Sequence, residues 1–294
     1  MQITNNYGLP ESFMRFLRND KYSKGDADIS VTTLIDSPRI NKLRQKHVND
    51  MTTDVTDRIW ALLGTAVHHV LESTESPDTI HEERLYATIA NCALSGAIDV
   101  QKYEPDGSIT LMDYKVCSAW SVMNDKPEWE RQLNCYAWLI TRNKERPVNR
   151  LQVCAILRDW NRRKGAMEQA YPDAPVQVVD VPVWSYQEQE DYIVSRIVAH
   201  QDAQERFDFE DPLPLCSNEE RWIKPGKIAV MKKNRKSAVK LFDDAREAEL
   251  FIKEKGSNEL FIEERPTEYT RCSGNFCGVA QFCEQYIGDD NAKH

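Results

Sequence analysis

Gly96-Ala97-Ile98-Asp99 and Leu111-Met112-Asp113-Tyr114-Lys115 are the two runs around which this chain is organised, joined through Glu104-Pro105-Asp106-Gly107. They read as two short strands and a turn. Asp113 and Lys115 are two apart on one strand, so both side chains leave the same face. Asp99 ends the preceding strand beside the other arm. Two carboxylates and an ammonium therefore converge, an arrangement that costs self-repulsion and desolvation unless a cation or substrate sits there. Carboxylates suit Mg²⁺ or Mn²⁺, and a neighbouring lysine suits an activated water or a phosphate. The competing reading is a solvated hairpin with ordinary surface charges, since Asp-x-Lys is common.

Working outward, residues 54–73 form a helix in which Ile59, Leu63, Ala66 and Val70 make one apolar stripe, expected to face the core. His68 and Glu72 lie on another face with Ala61 and Thr65, positioned to meet the Asp99/Asp113 cluster, and Gly64 allows another element to approach closely. Residues 79–90 are a strand. Downstream, Pro127 opens a helix running to about Thr141, with Leu133, Tyr136 or Ala137, and Ile140 buried and Gln132 one turn before Tyr136. A Gln side chain carries donor and acceptor and can orient a phosphate or a metal-bound water. Leu151–Leu157 and Val176–Val181 are further strands, and 186–206 is a helix of mixed charge.

Ahead of this core, residues 1–28 read as a loose arm with one helical turn at Phe13–Leu17, and Ser30–Pro38 as a short helix or turn. Beyond it, the acidic, Pro-rich 207–215 reads as a linker. The segment from Ile223 to Lys240 then carries seven basic residues and no acidic one. There, Ile228–Met231 and Ala238–Phe242 form a hairpin, with a helix from Asp243 to Lys255 capped by Asp243 or Asp244. The domains expected are 1–53 (arm and short helices), 54–206 (core) and 216–294 (basic hairpin, helix and cysteine cluster, packed on the core).

The 294 residues suffice for one large or two modest domains. A formal charge of −9 argues against a protein that simply coats nucleic acid, though basic surface is local at 142–164 and 224–240. There is no apolar run long enough to span a membrane and no export signal, so a cytoplasmic setting is expected. Of the eight cysteines, Cys92, Cys117, Cys135 and Cys154 read as small buried hydrophobes. Cys272, Cys277 and Cys283 lie close together near the C-terminus, with Cys216 as a fourth. Four thiolates suit zinc or an iron–sulfur cluster, the alternatives being free thiols or disulfides.

Taken together, Gly64-Thr65-Ala66-Val67-His68 through Glu72, then Gly96–Asp99, then Asp113–Lys115, then Gln132–Tyr136 resemble the PD-(D/E)xK nuclease superfamily, in its RecB-like and Cas4-like exonuclease branch. The resemblance implies an α/β restriction-endonuclease-like core, a mixed central sheet flanked by helices, with a cysteine-rich C-terminal extension. It implies a metal held by His68, Asp99 and Asp113, with the Val116 carbonyl as a further ligand. Lys115 is then the family lysine, Gln132 a catalytic glutamine, and Glu72 and Tyr136 stand one layer behind. It also implies a [4Fe–4S] cluster on Cys216, Cys272, Cys277 and Cys283, with zinc as the alternative, and likeness to exonucleases of tailed phages and their hosts, hence a bacterial or phage-infected cell. The function implied is divalent-metal-dependent hydrolysis of phosphodiester bonds in DNA, as an exonuclease on single strands or duplex ends, with Lys115 steadying or deprotonating the attacking water. The rival readings are a non-catalytic nucleic-acid-binding protein, a partner of a helicase, annealing or recombination protein, and a zinc-stabilised regulatory module. Trp120, Trp129 and Trp160 are candidates to stack on bases.

Overall fold

The computed structural model describes residues 1–19, 24–73 and 76–291, so parts of the expected arm and polar tail lie outside the described residues. The chain divides into two compact units, Met1–Asn41 with Val48–Leu213, and Lys42–His47 with Pro214–His294. Residues 1–41 thus belong to the unit that carries the sheet.

That first unit is a mixed α/β fold with a central sheet flanked by helices. Its strands are β1 (Ile29–Ser30), β2 (Thr79–Ile89), β3 (Cys92–Tyr103), β4 (Ile109–Cys117), β5 (Val148–Leu157) and β6 (Val176–Val181). β2 runs antiparallel to β3 from Thr79 opposite Lys102 to Ile89 opposite Cys92. β4 is parallel to β5, and β5 antiparallel to β6. The central hairpin turns where Gly107, at φ 87°, donates its N–H to the Glu104 carbonyl. Its arms are longer than the two short strands expected. They pair only at their turn ends, from Tyr103 opposite Ile109 to Val100 opposite Met112. Continuing this register by one residue sets Asp99 opposite Asp113, where the ladder has opened.

Helix α1 (Ile59–Glu72) follows a 3-10 turn, Val55–Arg58, whose Asp54 and Asp57 form a reciprocal capping box. It packs along β4. The expected apolar stripe does not reach the core: no residue of α1 is buried, and Leu63 and Val70 are exposed. Gly64 also differs from expectation, since a Cβ there meets nothing within 4 Å. Periodicity tells which residues share a helix face, but what that face meets is a tertiary matter.

The core lies instead between the sheet and helix α2 (Pro127–Lys144), which buries Trp129 and every residue from Gln132 to Ile140. Its side chains come close to β3 at Gly96, where an added Cβ would lie 2.8 Å from Leu139 Cδ1 and from the Tyr136 ring. Helix α3 (Tyr186–Asp208) starts at a Ser185/Glu188 capping box and buries Ile193, Ile197 and Ala203.

In the second unit, β7 (Lys227–Lys232) pairs antiparallel with β8 (Lys240–Phe242) and with β9 (Leu260–Arg265), a strand the sequence reading did not isolate. Helix α4 (Ala245–Lys255) is capped by Asp244, which accepts the N–H groups of Arg246 and Glu247. Val230, Phe242 and Ala248 form its core.

Candidate metal centre

His68 projects from α1 onto the opened end of the hairpin. Its Nε2 lies 3.1 Å from the Tyr114 carbonyl oxygen. Its Nδ1 lies 3.2 Å from Glu82 Oε1 and 3.6 Å from Asp99 Oδ2. One imidazole nitrogen therefore faces a backbone acceptor and the other a pair of carboxylates. The Tyr114 N–H donates to Asp99 Oδ2 at 2.7 Å, so a side chain takes over the hydrogen bond where the ladder lapses. One ligand atom from each of His68, Glu82 and Asp99 lies within 4.8 Å of the others, within the reach of a single cation.

Glu82 was missing from the predicted set. It sits at φ 50°, a left-handed conformation for a non-glycine residue, between the paired residues His81 and Glu83 of β2. Such strain costs about 1–3 kcal/mol and persists where surrounding structure imposes it. It interrupts the regular pleat at the residue opposite Asp99. Alternation along β2 gives no sign of this kink, which is why the sequence did not disclose Glu82.

Asp113 is not in the three-residue group. It is 2 % exposed, and its Oδ2 lies 2.5 Å from Lys115 Nζ. No hydrogen bond of normal geometry reaches that buried oxygen. Asp113 still acts on the group through its charge, which together with burial raises Asp99. Burial comes first and the Asp113 charge second, and they bring Asp99 to about 7 against the opposing pull of His68 and Lys115. His68 is raised to about 9, first by its hydrogen bond to Glu82 and then, against burial, by Asp99. For Lys115 burial pulls downward, but the adjacent Asp113 carboxylate outweighs it and the net shift is upward. Lys115 is accordingly held as an ammonium beside the acidic group.

The other predicted residues fall as follows. Glu72 pairs with His69 Nδ1 at 2.7 Å instead of joining the group. Gln132 is buried and donates to the Tyr136 hydroxyl at 2.9 Å, so it is a core residue as placed, with no hydrogen bond to the acidic group. The backbone carbonyl that meets the group is that of Tyr114, two residues before the Val116 carbonyl expected there. Trp129 is buried, and Trp160 donates its indole N–H to the Pro172 carbonyl.

The residues fit a divalent cation on two grounds. With Nε2–H donating to Tyr114, the free lone pair of a neutral His68 is at Nδ1, facing both carboxylates, an outer hydrogen bond of the kind that orients metal-binding histidines. The carboxylate-rich donor set also suits Mg²⁺ or Mn²⁺. The group is thus a candidate metal-binding triad consistent with metal-dependent activity.

The cysteines do not assemble in the same way. None of the eight cysteines is in a disulfide. Cys272 and Cys283 are close enough to Cys277 to act on its thiol, which burial pushes up. Cys216 is tied to Gln285 by reciprocal bonds, its N–H donating to Oε1 at 2.9 Å and its carbonyl accepting from Nε2 at 3.0 Å. Among the described residues, however, no three thiols come within 4.8 Å of one another.

Comparisons with known proteins add little to this geometry. No family model matches the chain, and no curated protein matches it. A solved structure titled "Crystal structure of SSO0001" is similar at a TM-score of 0.43 and 14% identity, over 64% of this chain and 82% of that one. A likeness at that level carries no argument about fold or function. No helix among the described residues is long and apolar enough to cross a membrane.

Proposed function

We propose that this protein is a divalent-metal-dependent deoxyribonuclease of the PD-(D/E)xK type, on a restriction-endonuclease-like core, acting as an exonuclease on single strands or duplex ends. The observation that carries the reading is the meeting of His68 Nδ1 with Glu82 and Asp99 beside the Asp113–Lys115 pair. That sequence order of motifs, and their placement on a helix and the two arms of a hairpin, support it. The metal-ligand set proposed is His68, Glu82 and Asp99, with Asp113 adjacent.

A bound Mg²⁺ or Mn²⁺ would supply Lewis-acid polarisation of a phosphate and a more acidic water. The protein's own residues do the rest. Tyr114 fixes the His68 tautomer through its carbonyl and the Asp99 rotamer through its N–H. Lys115, kept charged by Asp113, is placed to offset negative charge that develops on the phosphoryl group. Asp99, raised first by burial and then by the Asp113 charge, favours a cation over solvent.

Basic surface for the nucleic-acid backbone is narrower than the sequence count suggests. Lys144 pairs with Glu83 and Arg150 with Asp180. In the second unit Lys224 and Lys232 pair with Glu268 and Glu259. For the cysteines we infer a metal centre on Cys216, Cys272, Cys277 and Cys283, as [4Fe–4S] or zinc. Anaerobic purification with iron, sulfide and zinc analysis tests it.

The experiment for the function is digestion of end-labelled linear and circular DNA, single- and double-stranded, with Mn²⁺, Mg²⁺ or EDTA. The expected result is metal-dependent release of nucleotides from linear substrates, abolished by Asp99→Asn and Asp113→Asn. Absence of hydrolysis by metal-loaded protein, or full activity in either variant, overturns it.

A further inference from the structure

Helix α1 carries a feature the metal centre does not use. It is apolar, yet none of its residues is buried. Its first turn presents Trp60, 48% exposed, and the Arg158 guanidinium lies over that indole at 4.4 Å. Among the described residues no carboxylate pairs with Arg158, so its charge is free to meet an anion. A second pair stands in the segment that leaves β4: Trp120, 60% exposed, with Lys126 Nζ 4.5 Å from the ring centroid. Lys126 also lies 3.6 Å from Glu128.

Both pairs are tied to the strand that carries Asp113 and Lys115 and to the segment that leaves it. The Arg158 N–H donates to the Cys117 carbonyl at 2.9 Å, and the Ala119 N–H to Asp159 Oδ1 at 2.7 Å. Cys117 is two residues beyond Lys115, about 7 Å along the strand. Trp60 is eight residues before His68, about 12 Å along the helix axis. An exposed π-face backed by a guanidinium matches the two chemistries of an unpaired nucleotide, a flat base and a phosphate. A duplex hides its base faces in the stack and offers only the phosphates.

We propose that Trp60 with Arg158, extended by Trp120 with Lys126, is a stacking platform for unpaired nucleotides within a few residues of the bond held at His68, Glu82 and Asp99. This rests on the nuclease reading for the identity of the substrate. It assigns single-strand preference to the platform and leaves metal binding to the triad.

The test measures binding in EDTA, where no cleavage occurs, using a labelled oligothymidylate and a blunt duplex of equal length. Trp60→Ala should weaken oligothymidylate binding roughly tenfold or more, as loss of one stacked base does, and leave duplex binding within about twofold. Trp60→Phe should retain most of the single-strand affinity, and Trp120→Ala should lose a smaller part. Thermal melting verifies that each variant is folded. Unchanged oligothymidylate affinity in folded Trp60→Ala, or equal losses on single strand and duplex, overturns the platform. So does a shift in sedimentation of Trp60→Ala with single-strand binding intact, which would mean that a second copy covers this face. Cleavage is assayed separately with Mn²⁺. Stacking-dependent binding without any hydrolysis would sink the nuclease reading and leave the platform standing. Normal single-strand digestion by Trp60→Ala would do the reverse.

Discussion

Asp99→Asn should stabilise the metal-free protein at alkaline pH while abolishing its response to divalent cations. Asp99 is 8% exposed and is raised from an ordinary 3.8 to about 7, by burial first and the neighbouring Asp113 charge second. An acid whose folded pKa is raised is destabilising once ionised. The burden begins as pH rises above the unfolded value near 3.8 and is complete above about 7. At about 1.4 kcal/mol per unit, the three or so units amount to about 4 kcal/mol at pH 8, of which about 2 kcal/mol accrues between pH 5 and pH 7. Asparagine keeps an oxygen to accept the Tyr114 N–H and carries no charge. In EDTA, the melting temperature of the variant should exceed that of the parent by an amount that grows with pH. Between pH 5 and pH 8 the growth should be roughly 5–10 °C for a unit of this size. Adding Mn²⁺ should raise the parent and leave the variant nearly unmoved, because a cation relieves the burden that the substitution has already removed. A variant that melts at or below the parent in EDTA at pH 8, or a Mn²⁺ shift equal in both, would refute the argument.

Four further outcomes follow from the same geometry. Metal binding must displace the proton that His68 holds up to about pH 9, so Mn²⁺ affinity should rise with pH toward that value, with net proton release in calorimetry across buffers of different ionisation enthalpy; a flat profile contradicts His68 as a ligand. Glu82→Gln should lower Mn²⁺ affinity by about tenfold or more and, by removing the hydrogen bond that first raises His68, lower the melting temperature below about pH 9, whereas Glu72→Gln, whose partner is His69, should leave affinity unaltered. Lys115→Ala leaves the buried Asp113 oxygen without its ammonium and should cost about 1–3 kcal/mol in denaturant unfolding, so loss of activity in that variant must be read alongside stability, and Asp113→Asn added to it should restore part of the loss. Gly96→Ala forces a methyl against Leu139 and Tyr136 and should destabilise by about 1–3 kcal/mol in the same assay.

What the sequence determined by itself was the set of local elements and much of the chemistry. The central hairpin, the Pro127 helix, the strands at Thr79–Ile89 and Val176–Val181, and the Asp244 cap follow from period, turn residues and capping, which act over a few residues. Because a strand has period two and a helix 3.6, the sequence also placed Asp113 with Lys115 and His68 apart from the apolar stripe of its own helix.

The tertiary structure alone decided which of these groups meet. Glu82 enters because one residue of β2 adopts φ 50°, a conformation that no Glu codes for and that only the surrounding sheet can impose. Asp113 is drawn to Lys115, and Glu82 instead completes the three-residue group with His68 and Asp99. Gln132 goes to the core because α2 is covered along nearly its whole circumference, while the apolar stripe of α1 stays in solvent. Each outcome depends on long-range packing. Burial is a property of what lies opposite a face, and no local pattern in the chain records that.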